Sequence, residues 1–258
     1  MNDFIRTTID EKGICIISLN RSPVNALSYD LLNDLKKIFI KLNTNTSIRA
    51  VIIKSDLDHF SAGADLKERK IMSKDDAAIA LDNFNDCFNA IESLNVPTIC
   101  LINGYCLGGG AELSLACDFR IASNDALIGF PEVSIGIIPG AGGTQRLPKL
   151  IGLSNAKYWI YSALKFKAED ALSYGFVNFI CVSSELLERG IDLANKIIKN
   201  APIAIKSSKK AINEGYNMSI KDGLKVERNN YNISLNTKDR DEALDAFINK
   251  RKPNWKNE

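Results

Sequence analysis

The sequence predicts an α/β fold that is followed by a C-terminal helical region. Short apolar segments typical of buried strands alternate with amphipathic helical segments along the first two thirds of the chain. Beyond about residue 184 four helical segments follow without a strand pattern between them, at 184–200, 202–215, 219–236 and 238–250. We therefore expect an α/β core at 1–195 and a helical region at 196–258, which packs on that core or on a neighbouring subunit.

The first third of the chain predicts a hairpin, a helix and a buried strand. FIRTTI (4–9) and GICIISL (13–19) are typical strands, and the turn from Asp10 to Gly13 joins them. Ser28 is the expected N-cap of a helix. The apolar face of that helix has helical spacing and comprises Leu31, Leu32, Leu35, Ile38, Phe39 and Leu42. RAVIIKS (49–55) then predicts a strand that is buried on both faces.

The middle of the chain continues this alternation. Ser73, followed by two aspartates, is the expected cap of a second long helix. Its apolar stripe comprises Ala77, Leu81, Phe84, Phe88 and Ile91. Three further strands are predicted, at TICLI (98–102), FRIAS (119–123) and ALIGF (126–130).

Composition and charge exclude several classes of protein. The net charge of +2 in 258 residues indicates no dedicated surface for nucleic acid or membrane. No apolar run approaches the roughly 18 to 20 residues that span a bilayer. The N-terminus lacks the basic start and apolar core of a secretory signal. We expect a cytoplasmic protein.

Cysteine and histidine usage predicts neither disulfides nor a metal site. The six cysteines include no C-x-x-C pair and are interpreted as small buried hydrophobes in a reducing compartment. His59 is the single histidine, so a site with several histidine ligands is excluded. A Ser-His-Asp triad would need His59, and no G-x-S-x-G motif accompanies it. His59 is interpreted as a loop residue at a strand end.

The segment NGYCLGGGAEL (103–113) places one carboxylate, Glu112, beside three consecutive glycines. The helix is expected to begin near Gly109 or Gly110. Unpaired N–H groups at a helix start can bind an anion or a developing oxyanion, and glycine lets a ligand approach the backbone. The glycines could equally serve tight packing, with Glu112 as a first-turn acid. The segment alone leaves both interpretations open.

A second glycine-rich segment, GFPEVSIGIIPGAGGTQRL, carries Glu132 and opens another helix at 139–144. No G-K-[ST] follows either glycine run, which disfavours a nucleotide triphosphatase. Two carboxylates beside an oxyanion site suit proton transfer at a carbon that a carbonyl activates. If the pair is close and partly buried, its protons titrate as a coupled set.

The loop HFSAGADLKER (59–69) follows a predicted strand and starts another helix. Its amides could give a second donor to the same oxygen. Alternatively, Ser61 caps a helix, and Asp65 is an acidic residue of its first turn. Both interpretations stay open at this point.

Taken together, five segments resemble the enoyl-CoA hydratase/isomerase (crotonase) family. They are PVNAL (23–27), FSAGADLKER (60–69), NGYCLGGGAEL (103–113), FPEVSIGIIPGAGGTQRL (130–147) and TKDRDEALDAFINKRKP (237–253). The resemblance covers essentially the whole chain in the order of the family.

The resemblance implies a crotonase-like spiral of repeated ββα turns, a C-terminal helical region, and assembly as a homotrimer or a dimer of trimers. It implies that the amides of Ala64 and Gly109 hold the thioester oxygen of an acyl-CoA. Glu112 and Glu132 then flank the α,β double bond, which implies hydration of a short-chain 2-enoyl-CoA. Glu112 is expected to activate water and Glu132 to protonate Cα, although the division of acid and base between them stays open.

The resemblance also implies a set of residues that contact the acyl-CoA. The set comprises Asn25, Ala26, Leu27, Ala62, Asp65, Leu66, Lys67, Tyr105, Gly108, Pro131 and Gly140. Lys250 and Arg251 either reach a phosphate on a neighbouring subunit or form a solvated basic end. The cluster KSSKK (206–210) is expected to be an exposed helix face. No cofactor is expected, because coenzyme A is part of the substrate.

Three alternatives remain. AGADLKER, Met72-Ser73 and GTQRLPKLIG also resemble 3-methylglutaconyl-CoA hydratases of leucine breakdown. An enoyl-CoA isomerase is disfavoured by the presence of Glu112. An RNA-binding relative is disfavoured by the near-neutral charge, because RNA affinity rests on clustered lysine and arginine.

Overall fold

The computed structural model describes residues 4–258 and has the predicted α/β class. Its strands are β1 (Ile5–Ile9), β2 (Ile14–Leu19), β3 (Ala50–Ser55), β4 (Thr98–Ile102), β5 (Tyr105–Leu107), β6 (Phe119–Ser123), β7 (Leu127–Gly129), β8 (Lys165–Lys167) and β9 (Phe179–Cys181). Its helices are α1 (Tyr29–Thr44), α2 (Leu66–Ile71), α3 (Lys74–Glu92), α4 (Gly109–Leu115), α5 (Gly143–Ile151), α6 (Leu153–Ser162), α7 (Ala168–Ser173), α8 (Leu186–Ile198), α9 (Pro202–Gly215), α10 (Ile220–Leu235) and α11 (Lys238–Ile248).

The strands form two sheets. The larger has the order β1-β2-β3-β4-β6-β9 and is parallel except for the β1–β2 hairpin, whereas the smaller has the order β5-β7-β8. Two parts of the chain share one pattern: β4 and β5 followed by α4, and β6 and β7 followed by further helices. In each, the first strand lies in the larger sheet and the second strand lies in the smaller sheet. This repetition is the expected spiral of ββα turns.

Local chemistry explains the elements that the sequence predicted. Asp10 closes the hairpin turn by accepting hydrogen bonds from the amides of Lys12 (2.9 Å) and Ile14 (2.8 Å). Ser28 caps α1 by accepting from the Leu31 amide, and Ser73 caps α3 in a reciprocal box with Asp76. Helices α1 and α3 pack on each other, and most of their predicted apolar residues are buried, whereas Ile38, Ala77 and Leu81 are half-buried.

Three short strands differ from the sequence prediction. The glycine-rich turn at 104–110 contains β5, and the predictions also omitted β8 and β9. Each of these strands has three residues, which is too few to show a period of two. Only pairing with a distant strand defines them.

The C-terminal helices agree closely with the predicted segments. Helix α8 lies on the larger sheet, where Gly190 allows a close approach to Leu101. Helices α9 and α10 pack on each other, with Gly215 facing Gly223. The division between 195 and 196 stays a prediction.

One expectation for α9 is wrong. The KSSKK cluster is not simply an exposed face, because the Lys209 side chain is only 9% exposed and forms a 2.8 Å ion pair with Asp118. Lys209 also donates to the carbonyl of Val96. This half-buried ion pair joins the helical region to the α/β part.

The cysteine prediction is confirmed for five of the six residues, which are buried and unbridged, whereas Cys181 is half-buried. Burial raises the pKa of the Cys15 thiol to about 11 and that of Cys106 to about 12. No helix in residues 4–258 is long and apolar enough to cross a membrane.

We expect Arg120→Met to destabilise the fold strongly. Arg120 is 4% exposed, and its guanidinium donates to the carbonyls of Ser114, Cys117 and Phe176 at 2.7–3.1 Å. Methionine would leave these buried acceptors unpaired, which costs about 3 kcal/mol or more. Urea denaturation at one fixed protein concentration measures the loss.

The matched control is Arg6→Met. Arg6 lies at the surface and has only a 3.8 Å ion pair with Asp56, so its loss should cost less than about 1 kcal/mol. Equal losses in the two variants would contradict the role assigned to Arg120.

Candidate active site

The start of α4 carries the first half of the site. Gly108 precedes the helix with φ 51° and ψ −122°, a conformation that favours glycine. A Cβ at Gly108 would lie 2.9 Å from Oε1 of Glu132, so a side chain there would meet that carboxylate. The lack of a side chain at Gly108 therefore lets the carboxylate of Glu132 approach the start of α4.

Two backbone amides lie side by side at this point. The amides of Ala64 and Gly109 have no hydrogen-bond acceptor within residues 4–258. A Cβ on Gly109 would lie 3.5 Å from the Ala64 nitrogen, which shows how closely the two segments approach. Leu27 holds Ala64 in place by donating to the Gly63 carbonyl (2.8 Å) and accepting from the Asp65 amide (3.1 Å). Two adjacent amides without acceptors can bind one oxyanion.

Asn25 holds the loop that presents Ala64. Its side chain is fully buried and donates to the Ser55 hydroxyl (2.7 Å) and to the carbonyls of His59 (3.0 Å) and Phe60 (3.1 Å). Its side-chain oxygen accepts from the Arg21 amide. These bonds commit the Asn25 side chain to the scaffold, and a contact of its backbone with substrate stays a prediction.

Ser61 does not cap a helix. Its hydroxyl donates to the Asn25 carbonyl and accepts from the Gly63 amide, so it fixes the loop internally. The cap of α2 is Asp65, which accepts from the amides of Lys67 and Glu68 and forms a 2.7 Å ion pair with Arg21. Burial opposes ionisation of Asp65, but the Arg21 guanidinium and the two amides hold its pKa below the usual range.

Glu112 lies in the first turn of α4 and is 3% exposed. Its Oε1 accepts hydrogen bonds from the amides of Ala141 and Gly143, both at 2.8 Å. Burial raises the pKa of Glu112, while the two amides and the guanidinium groups of Arg146 and Arg69 oppose the rise. The carboxylate is therefore held in one orientation by the second glycine-rich segment.

Glu132 lies in a short 3-10 helix, Pro131–Ile135, and is 9% exposed. Its Oε2 is buried and has no donor within residues 4–258. The pKa of Glu132 is raised to about 7, mainly because the group is buried; a hydrogen bond from its own backbone amide opposes the rise, and the charge of Glu112 adds to it. Glu132 can therefore carry a proton near neutral pH.

The arrangement suits proton transfer beside a polarised carbonyl. Two amides can hold an oxygen, an oriented carboxylate can accept a proton from water, and a second carboxyl group can deliver one. Within residues 4–258 no group of three or more His, Cys, Asp or Glu side chains is placed to hold a metal ion.

The remaining residues predicted to contact substrate fall into two sets. Leu27, Ala62, Gly108, Pro131 and Gly140 lie on the segments that carry the amides and the glutamates. The Ala26 carbonyl accepts from Arg21, while Leu66 and Lys67 are exposed on α2.

Tyr105 is oriented differently. Its ring stacks on His59 at 4.4 Å and lies 4.8 Å from the Lys165 amine. It lines a surface pocket with Asn103, Asp125 and other residues, none of which is a predicted site residue. A contact of Tyr105 with substrate stays a prediction.

The two basic residues near the C-terminus behave differently from each other. Arg251 forms ion pairs with Glu242 (2.6 Å) and Asp245 of its own chain, so its guanidinium is already engaged. Lys250 is exposed. A role of either residue on a neighbouring subunit stays a prediction.

Sequence reasoning missed the residues that position Glu112. Ala141 and Gly143 were recognised only as part of a helix start, although the run PGAGGT was the available signal. It also missed Arg69 and Phe84 as neighbours of the site, because the contact of Phe84 with Gly109 and that of Arg69 with the Phe84 ring arise only when the chain packs.

Comparison with known proteins agrees with this geometry. A family model described as enoyl-CoA hydratase/isomerase matches residues 10–258. A short-chain-enoyl-CoA hydratase of Clostridium acetobutylicum is 39% identical over 244 residues, which cover 94% of each chain. A mitochondrial methylglutaconyl-CoA hydratase of Mus musculus is also 39% identical, over 96% of this chain and 81% of that protein. The crystal structure of an enoyl-CoA hydratase from Bacillus anthracis superposes with a TM-score of 0.97 at 42% identity, covering 99% of this chain and 100% of the other.

We expect Glu132→Gln to stabilise the folded chain, and more so at high pH. In the unfolded chain this carboxyl ionises near 4.5, whereas in the folded chain it keeps its proton up to about pH 7. The wild type therefore loses stability as the pH rises between these values, by about 3 kcal/mol in total, while glutamine has no proton to lose. Urea denaturation at pH 5 and pH 8 should show a wider gap at pH 8.

Glu188→Gln, at an exposed position of α8, is the matched control. A gap between Glu132→Gln and wild type that does not change with pH would contradict the burial argument for Glu132.

Proposed function

The chain belongs to the enoyl-CoA hydratase/isomerase family, and from that premise we propose that it hydrates a short-chain 2-enoyl-CoA. One observation carries the proposal. The adjacent amides of Ala64 and Gly109 lie at the start of α4, the helix that carries the buried Glu112, and the buried carboxyl group of Glu132 approaches the same helix start at Gly108. Hydration needs an oxyanion site, a base and an acid, and these residues supply the three functions. Such a reaction is a step of fatty-acid β-oxidation.

The reaction begins when the amides of Ala64 and Gly109 donate hydrogen bonds to the thioester oxygen. Glu112 accepts a proton from water as the water oxygen bonds to Cβ, and the π electrons move toward the carbonyl oxygen. The resulting enolate takes a proton from Glu132 at Cα, and the carbonyl re-forms. A proton then returns from Glu112 to Glu132 through water, which resets the pair.

The contacts of the two glutamates support this division of labour. The amides of Ala141 and Gly143 stabilise the ionised form of Glu112, as a base requires. Glu132 lacks such donors at Oε2, and burial favours its protonated form, as an acid requires. Burial raises the pKa of Glu112 as well, but only Glu112 has two amide donors that stabilise its charge, so we assign the proton of the resting pair to Glu132.

Hydration is favoured over double-bond isomerisation by the same contacts. An isomerase moves a proton between two carbons and needs no activated water. The two amides fix Glu112 as a hydrogen-bonded carboxylate, and Glu132 is a second buried carboxyl group without a donor at Oε2, so the site offers both a base for water and an acid for carbon. The substrate itself brings coenzyme A, and the proposed steps require no cofactor.

We also propose that the chain forms a homotrimer or a dimer of trimers. Helices α9–α11 expose large apolar side chains, among them Ile212, Tyr216, Ile220, Phe247 and Ile248, and Phe247 is 85% exposed. Large apolar side chains left exposed on neighbouring helices are typical of an interface between subunits. The unbridged cysteines support a reducing compartment, for which we propose the cytoplasm.

Crotonyl-CoA tests the proposed reaction. We expect the wild type to remove the enoyl thioester absorbance rapidly, and Glu112→Gln and Glu132→Gln each to lower kcat by roughly 10²- to 10⁴-fold. Glu188→Gln should behave as wild type. A folded wild type that hydrates no short-chain enoyl-CoA would refute the proposal. Full activity in either active-site variant would refute the role given to that residue.

Sedimentation tests the proposed assembly. We expect the wild type to sediment at three or six times the mass of the chain, and Phe247→Asp to shift the population toward smaller species, because a charge cannot be buried unpaired at an apolar interface. Lys41→Asp, a charge change on an exposed residue of α1, controls for surface charge. A single-chain mass for wild type at micromolar concentration would overturn this proposal.

A further inference from the structure

Arg69 is a half-buried cation that lacks a carboxylate partner. It lies on α2, directly after the loop that presents Ala64. Its Nη1 donates one hydrogen bond, to the Ala77 carbonyl at 3.3 Å. No carboxylate oxygen lies within 4.0 Å of it in residues 4–258. Arginine that is withdrawn from water is normally paired, so this guanidinium has binding capacity that the fold does not use.

The neighbours of Arg69 connect it to the oxyanion site. Its guanidinium carbon lies 5.3 Å from the centre of the Phe84 ring. The same ring packs on Gly109, where a Cβ would lie 3.0 Å from Phe84 Cε1. One turn earlier on α3, Leu81 packs on Gly140 in the same way, at 2.9 Å from the Cβ position. Ala77, Leu81 and Phe84 therefore form one wall beside the site, and Arg69 lies at its N-terminal end.

Arg146 shows that this property is particular to Arg69. Both guanidinium groups act on the charge of Glu112. Arg146, however, is engaged by Glu92 at 2.7 Å, by Asn89 at 2.9 Å and by the Ala141 carbonyl at 3.1 Å. It holds the turn that positions Glu112 and has no comparable capacity for a ligand.

The geometry of guanidinium selects the ligand. Five N–H donors lie in one plane, and two parallel donors match the two oxygens of a carboxylate. An acyl chain whose carbonyl oxygen lies at the amides of Ala64 and Gly109 begins beside Phe84, the ring that Arg69 covers. A chain that runs along this ring toward Arg69 brings a carboxylate a few carbons further on within reach of the guanidinium.

We infer that Arg69 binds a second carboxylate at the far end of the acyl chain. The preferred substrate class is then a 2-enoyl thioester of a dicarboxylic acid, rather than one that ends in a methyl group. This inference rests on the proposed hydration, and it names the substrate class of the same site. Arg69 thereby acts as a specificity-determining residue, while Glu112 and Glu132 carry out the chemistry.

Two substrates of equal length test the inference. Glutaconyl-CoA ends in a carboxylate, and 2-pentenoyl-CoA has the same five carbons with a terminal methyl group. We expect the wild type to prefer glutaconyl-CoA in kcat/KM. Arg69→Met keeps an unbranched stem on Phe84 but removes the donors, and it should lower the ratio of the two kcat/KM values by roughly 10- to 100-fold.

The ratio is the decisive readout because other effects of Arg69 cancel in it. Loss of its charge changes the ionisation of Glu112, and a contact with a CoA phosphate would matter too, but both act on the two substrates alike. Arg69→Lys should restore part of the preference, because it keeps the charge but loses the planar pair of donors. Lys70→Met removes a charge from an exposed position of α2 and should leave the ratio unchanged.

The outcomes separate this inference from the proposed function. An equal fall for both substrates in Arg69→Met would overturn it in favour of a contact with Glu112 or with CoA. A wild type that hydrates 2-pentenoyl-CoA without preferring glutaconyl-CoA would overturn it and leave the hydratase proposal intact. A wild type that hydrates neither substrate would refute both.

Discussion

The two hydrogen bonds from the amides of Ala141 and Gly143 to Glu112 are the interaction on which the site depends. They join two glycine-rich segments that lie about thirty residues apart and belong to different turns of the fold. A buried carboxylate without donors is costly, so these amides both stabilise Glu112 and fix its orientation. Glycine is needed at position 143, because a Cβ there would lie 2.9 Å from the carboxylate oxygen.

The surroundings of Glu132 differ from those of Glu112 in the donors that they provide. Glu132 is withdrawn from water, yet the fold provides no donor for its Oε2. Such a group lowers the stability of the protein at the pH where it must ionise, and proteins keep groups of this kind at functional sites. The difference between a satisfied and an unsatisfied carboxyl group is what separates the two glutamates chemically, since both are buried.

The scaffold around the pair is rigid for identifiable reasons. The Asn25 side chain donates to Ser55 at the end of β3 and to two adjacent carbonyls of the loop that presents Ala64. Arg120 donates to carbonyls at the C-terminal end of α4, the helix whose first turn carries Gly109 and Glu112. The side-chain N–H groups of Arg120 donate to backbone carbonyls, and those of Asn25 donate to backbone carbonyls and to the Ser55 hydroxyl. Arg69 is the contrast, because most of its donors are unused beside the site.

The sequence by itself determined the class of the fold and its long helices, and it singled out the two glutamates of the candidate site. These features follow from local chemistry: apolar periodicity defines α1 and α3, Ser28 and Ser73 cap them, and the glycine runs mark where backbone amides are exposed. The ordered motifs sufficed for the resemblance to the family, which the comparisons confirmed.

Only the tertiary structure decided what each side chain touches. The three-residue strands β5, β8 and β9, the ion pair of Asp65 with Arg21, and the half-buried pair of Lys209 with Asp118 all depend on partners that are remote in sequence. The same holds for the different surroundings of Glu112 and Glu132 and for the position of Arg69 over Phe84. A sequence names the groups that can ionise or donate, but their pKa values and free donors are set by burial and by distances that exist only after the chain has packed.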